Sequence, residues 1–176
     1  MSETILDACC LINLYATDAF REILGGIGGS WNVVRPALAE ATFLRDVSDT
    51  GEEQRRQIDL STGVSEGVVS IVDAKSDAEL GTFVELAAQL DDAEALGLAI
   101  AKHRGWRLAT DDRKACRIAR SIDVGVVTTP ELMKAWAKAV GVGPAQIRAT
   151  LSKITLHARF TPGPDFPEFK WWQKYT

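Results

Sequence analysis

Two short apolar runs of this chain end in carboxylates: Thr4-Ile5-Leu6 leads into Asp7, and Arg107-Leu108-Ala109-Thr110 leads into Asp111 and Asp112. If both runs are parallel strands of one sheet, their acids emerge at the same edge. An open α/β sheet holds ligands beyond the carboxyl ends of its strands, so acids placed there can hold a hard cation through oxygen ligands. A third acid-rich stretch, Asp91-Asp92-Ala93-Glu94-Ala95-Leu96, opens the clearest helix of the chain. Strand-like apolar runs alternate with helical ones throughout, the pattern of a parallel sheet covered by helices.

Residues 4–7 read as the first buried strand, followed by helical segments at 8–15 and 18–24 that end at the glycines at 25, 26, 28 and 29. A second strand is expected at 31–34, then a helix with Pro36 in its first turn and Glu40 one turn on. The polar segment 47–65 reads as a helix plus loop. A strand at 68–72 and a helix at 77–90 follow. Asp91 as N-cap, with Glu94 three residues later, starts a helix that runs to Arg104 and stops at Gly105. Next come a strand at 106–109, a helix at 112–120, a strand at 124–127 and a helix at 130–140 begun by Thr128 or Thr129. One more helix is expected at 144–154, and the residues after Ala158 read as an irregular tail. The expected fold is an α/β three-layer sandwich with a central, mostly parallel sheet flanked by helices. Residues 1–140 form the domain, and 141–176 add a helix and tail of unassigned role.

An apolar content of 46% over 176 residues can supply the core of one domain. No apolar run approaches the roughly 20 residues that span a bilayer, and the N-terminus lacks a basic segment leading into a long apolar stretch, so a soluble cytoplasmic protein is expected. Three cysteines, two of them adjacent at Cys9 and Cys10, give neither a disulfide framework nor zinc-ligand spacing. A net charge of -4 gives no general attraction for a polyanion, so any nucleic-acid contact needs a local basic patch. Arg113, Arg117 and Arg120 share one helical face and fit that need, with Lys102 and Arg104 nearby in sequence; a solvated helix face is the alternative. No glycine-rich loop ends in Lys-Ser or Lys-Thr, which excludes a P-loop. Cys9 stands where an aspartyl-nucleophile phosphatase needs a second Asp.

Taken in order, these segments resemble the PIN-domain nucleases, including the ribonuclease toxins of bacterial VapBC toxin-antitoxin pairs. Ile5-Leu6-Asp7-Ala8-Cys9-Cys10-Leu11-Ile12-Asn13-Leu14 looks like the family's first-strand aspartate and following helix, with Cys9 at a position more often a small hydroxyl or amide residue. Pro36-Ala37-Leu38-Ala39-Glu40 is similar to its early acidic helix, and Asp92 to Ala101 looks like the helix that bears its third acid. Thr110-Asp111-Asp112-Arg113 resembles the segment that completes the acidic set, and Gly125 to Leu132 the closing strand and helix. The resemblance spans roughly residues 4–140. It implies a PIN-like fold and a metal-dependent endoribonuclease using Mg²⁺ or Mn²⁺ on an RNA substrate. It also leaves open an antitoxin protein and a second copy of the chain as partners.

The chemistry agrees with that expectation. Phosphodiester hydrolysis must bring water to an anionic phosphate and stabilise a leaving oxygen, work that one or two divalent ions do. Asp7 and Asp112 are the expected central ligands, Glu94 and Asp111 direct or water-mediated ligands, and Glu40 an outer acid that orients water. Thr110 is placed to hydrogen-bond that water or a ligand carboxylate. Each acid also has a plainer reading: Asp7 and either of Asp111 or Asp112 as helix caps, Glu94 as the partner of Asp91 in a capping box, Glu40 as a solvated helix residue, and Asp92 as a surface charge. His103 reads as a surface residue. Trp171 and Trp172 either stack on bases or pack the tail onto the body. A non-cutting RNA- or protein-binding module and a DNA nuclease are the alternatives in function.

Overall fold

The structure, a computed structural model, describes residues 3–47 and 53–176. Strand β1 (Glu3–Leu6) runs into α1 (Ala8–Tyr15) and α2 (Phe20–Ile27), then β2 (Ser30–Val34) and α3 (Arg35–Glu40). A separate hairpin, β3 (Phe43–Val47) and β4 (Glu53–Gln57), precedes α4 (Ser61–Ser65), β5 (Ser70–Val72) and α5 (Asp77–Ala87). The second half continues with α6 (Asp92–Arg104), β6 (Arg107–Ala109), α7 (Arg113–Ser121), β7 (Gly125–Val127), α8 (Thr129–Val140) and α9 (Pro144–Lys153). A π-helical turn (Ile154–Ala158) and α10 (Phe169–Gln173) complete it.

The main sheet is all parallel, in the order β5-β2-β1-β6-β7, with helices on its faces. The chain adds β2 and β5 on one side of β1, then β6 and β7 on the other. The direction of winding therefore reverses at β1, and beyond the carboxyl end of such a strand is where open α/β sheets place their ligands. Leu6 pairs in register with Ala109, and the Asp7 amide donates to the Ala109 carbonyl at 3.0 Å, which fixes Asp7 and Thr110 at the same level. Helix α6 packs against β1, β2 and β6, with α3 and α5 beside it, whereas α1, α2 and α8 pack with one another. Among the described residues no helix is long and apolar enough to cross a membrane.

Three expectations need correction. Gly25 and Gly26 lie inside α2 rather than ending it. A Cβ on Gly26 would come within 2.5 Å of Val140, so the bare backbone lets α2 and α8 approach closely. The polar segment expected as helix plus loop does contain α4, but it also holds β4 and the end of an antiparallel hairpin, with residues 48–52 outside the described set. That pairing needs little apolar surface: Leu44 and Ile58 seal the hairpin end against Ala16, with Ile12, Tyr15, Leu60 and Ala158 around them. The tail is not wholly irregular, because α10 forms in it. Ile147, Leu151, Ile154 and Trp172 join the same core as Ile5 and Leu108, so residues 141–176 complete the body.

Candidate active site

Asp7 follows β1 and is 5% exposed. Its Oδ1 accepts the Ala8 amide at 2.7 Å, capping α1, while Oδ2 accepts the Thr110 hydroxyl at 2.9 Å and the Cys9 thiol at 3.1 Å. Three donors hold the carboxylate in one orientation. Burial pushes its pKa up against the pull of those bonds. Cys9 thus fills the donor role that a hydroxyl would serve. Thr110 in turn accepts the Asp112 amide at 3.2 Å, so one hydroxyl ties together the acids that follow β1 and β6.

Asp112 caps α7 through Oδ1 alone, which accepts the Lys114 and Ala115 amides at 2.7 Å each. Asp91 caps α6 in the same way, its Oδ1 accepting the Glu94 amide at 2.8 Å. In both residues the second oxygen accepts nothing from the described residues. Capping and ligand roles are therefore compatible, since a cap uses one oxygen of two.

The capping box expected for Glu94 does not close. Ser76 with Glu79 and Thr128 with Glu131 form reciprocal boxes, but the Glu94 carboxylate does not return to its N-cap amide. It accepts no hydrogen bond from the described residues. Partial burial, with Asp91, Asp7 and Asp112 nearby, pushes its pKa up to about 7. Glu40, exposed at the end of α3, is raised by partial burial and by Asp91, Asp7 and Asp92. Glu94 thus lies near Asp7, Asp91 and Asp112, and Glu40 near Asp7, Asp91 and Asp92. Asp91 is near both, although the sequence suggested only a cap.

Asp111 faces elsewhere. Its Oδ1 accepts the Thr129 amide at 2.8 Å, and its Oδ2 accepts the Thr129 hydroxyl and, at 2.9 Å, the Asn13 amide. Burial raises its pKa, and the bonds from Thr129 and Asn13 oppose that rise. Sequence reasoning missed Asn13, whose signal was a polar side chain within the buried apolar run of α1. The carboxylate clamps the N-terminus of α8 to α1.

The ligand atoms of Cys9, Cys10 and Asp111 lie within 4.8 Å of one another, the one set of three such donors gathered that closely among the described residues; Asp7, Glu94 and Asp112 are more widely spaced. The atoms of the cysteine set already have partners, however, and burial drives the Cys10 thiol well above the ordinary range. A metal there would have to displace both the thiol proton and those partners.

Among the basic residues, Arg104 leaves the expected patch. It pairs with the buried Glu79 at 2.7 Å and lies over the Trp106 ring, at the end of α6 opposite the acids and about 18 Å away along a helix of this length. His103 meets the Thr82 hydroxyl at 2.9 Å. Trp172 is buried, and the half-buried Trp171 packs edge-on against Tyr175. Arg113, Arg117 and Arg120 lie exposed on α7, the helix that Asp112 caps.

The chain matches no family model, and no curated protein matches it.

Proposed function

We propose that the chain is a metal-dependent phosphodiesterase that cuts RNA internally, with Mg²⁺ or Mn²⁺ held by Asp7, Asp112 and Glu94. The observation that carries this reading is that the carboxylates after β1, on α3 and at the starts of α6 and α7 lie near enough to one another to raise the pKa of Glu94 and Glu40. Structural capping does not require the capped ends of three helices to meet. An all-oxygen set with surplus negative charge fits a hard divalent cation and little else. When bound, such ions activate water and stabilise charge on the leaving oxygen.

The chain's own residues divide the remaining work. Asp7 is fixed by Ala8, Thr110 and Cys9. Asp112 keeps one oxygen on α7 and presents the other to the site. Glu94 brings a carboxylate with no competing donor, and Glu40 at the exposed rim orients the incoming water. Asp91 adds negative charge behind them. Asp111 is left out of the ligand set because it is not among the carboxylates that act on Glu94, and Thr129 and Asn13 hold its side chain between α8 and α1; its part is to position α8 against α1.

Motif order, resembling that of ribonuclease toxins, points to RNA and to an antitoxin partner; the acids themselves would serve DNA equally. Mn²⁺ titration with labelled single-stranded RNA and DNA tests the reading. Metal-dependent products from RNA, absent with chelator and with Asp112→Asn, are expected. Cutting of DNA alone would replace the substrate, and binding without products would replace the enzyme by a non-cutting module.

A further inference from the structure

A cleft of about 310 Å³ opens beside Asp111, between α7 and the tail. Arg113, Arg117 and Arg120 line one wall, and Asp165 and Phe166 line the other. Arg117 and Arg120 form no hydrogen bond or ion pair with any described residue. Arg113 does, donating to Asp165 Oδ1 at 2.7 Å, in a pair whose side chains are 69% and 49% exposed. An ion pair so open to water is weak and exchangeable.

The tail is built to make this contact. A Cβ on Gly163 would sit 2.8 Å from Asp165 Oδ1 and 3.1 Å from the Arg113 guanidinium, so the glycine makes room for the pair. The Phe166 amide donates to the Gly163 carbonyl at 3.1 Å and closes the turn. Phe166 packs edge-on against Phe160 at 5.9 Å, and Phe160 packs in the same way on Trp172 at 5.9 Å, which is 1% exposed. A buried tryptophan thus anchors the aromatic ring that faces the arginines.

We propose that this cleft, bordered by Asp111 and Arg113 on either side of Asp112 in sequence, is a subsite for one nucleotide of a single strand. Arg117 and Arg120 take a phosphate, Arg113 exchanges Asp165 for a second phosphate, and Phe166 stacks on the base. Cations with no partner beside an anchored ring are the two elements of single-strand recognition, electrostatic tracking and stacking. At about 310 Å³ the cleft is at the small end of ligand pockets, a size that suits one nucleotide. Asp165 acts as an internal stand-in for phosphate and lowers affinity until the strand displaces it. The proposal rests on the nuclease reading for the identity of its ligand; it is tested first by binding without metal and then by cleavage, so that the two can fail separately.

The test uses the full chain with chelator present and a short fluorescein-labelled oligouridylate, read by anisotropy across a salt series. Replacing Arg117 and Arg120 with Ala should weaken binding and reduce the salt slope by about 0.7 for each phosphate no longer neutralised. Phe166→Leu should weaken oligouridylate by about fivefold or more and leave an abasic oligomer of equal charge unaffected. Asp165→Asn should tighten binding, the opposite sign to the others. Thermal melting of each variant checks that the fold persists; the arginines and Asp165 are exposed, so their exchange leaves the core intact. An unchanged affinity and slope in the double Arg variant, or weaker binding by Asp165→Asn, overturns the subsite. Polyglutamate binding as tightly, with the same sensitivity to Arg117 and Arg120, would replace it by an acidic protein partner. Cleavage in Mn²⁺ that is indifferent to these variants overturns the subsite and leaves the nuclease reading standing. Variant-sensitive binding without cleavage in Mn²⁺ does the reverse.

Discussion

Replacing Glu94 by Gln should stabilise the metal-free protein at alkaline pH. Partial burial and three neighbouring carboxylates lift Glu94 from 4.5 to about 7. Fully expressed, that difference disfavours the charged folded state by about 3 kcal/mol. Solvent around a half-buried side chain reduces it to about 1–2 kcal/mol. Below pH 4.5 the side chain is neutral in folded and unfolded chains alike, so the variant should match wild type there. Between 4.5 and 7 the folded chain holds a proton that the unfolded chain has released, and wild-type stability declines as pH rises. Above 7 the whole penalty applies, and glutamine, which cannot ionise, escapes it. Thermal melting at about pH 8 without metal should place Glu94→Gln above wild type by about 2–8 °C. Adding Mn²⁺ should reverse the order, because only wild type offers the charged ligand. A variant that is less stable than wild type in that alkaline buffer, or that keeps the wild-type pH profile, would refute the crowded-carboxylate account.

Asp111→Asn should behave oppositely. An amide NH₂ facing donors from Thr129 or Asn13 leaves a buried group unsatisfied, for a loss of about 1–3 kcal/mol in urea unfolding, while the Mn²⁺-induced shift in melting temperature is retained. Asp112→Asn keeps its N-cap function, so metal-free stability should hold within about 0.5 kcal/mol while cleavage disappears in a gel assay. Trp172→Ala should lose about 3–5 kcal/mol, measured by denaturant unfolding, because the tail docks through that side chain. Glu79, held at about 2 by Arg104, contributes stability that is complete above its ordinary 4.5 and lost as pH falls toward 2. Glu79→Gln should accordingly be less stable at neutral pH by on the order of 1–2 kcal/mol and converge on wild type in acid, followed by melting across that range.

The parallel sheet and its helix starts were legible because their signals are local: apolar runs that end in acids, Pro36 near a helix start, and caps at Asp91 and Thr128. Asp7 and Asp112 were legible for the same reason. Asp111 and Asp112 could not be told apart, because adjacent residues in extended chain point to opposite sides and nothing in Thr-Asp-Asp-Arg fixes which side faces the crevice. The structure turns Asp112 toward the site and gives Asp111 to Thr129 and Asn13. Asp91 was seen as a cap and not as part of the cluster, since its proximity to Asp7 arises only when α6 packs on β1. Hairpin strand β4 has no apolar alternation to announce it. Asp165 and Phe166 lie in a segment without periodicity, and only the burial of Trp172 brings them to α7. Arg104 looked like a neighbour of the basic helix because sequence distance hides the length of α6.

Cleavage of a labelled single-stranded RNA, followed as Mn²⁺ is titrated into wild type and Asp112→Asn purified side by side, tests the central claim most directly. Wild type should give products that depend on Mn²⁺ and vanish with chelator, while Asp112→Asn, equally folded by melting temperature, should give none. Equal rates from the two proteins, or no products from wild type at saturating Mn²⁺, would contradict the assignment of this acid cluster as a metal-dependent nuclease centre.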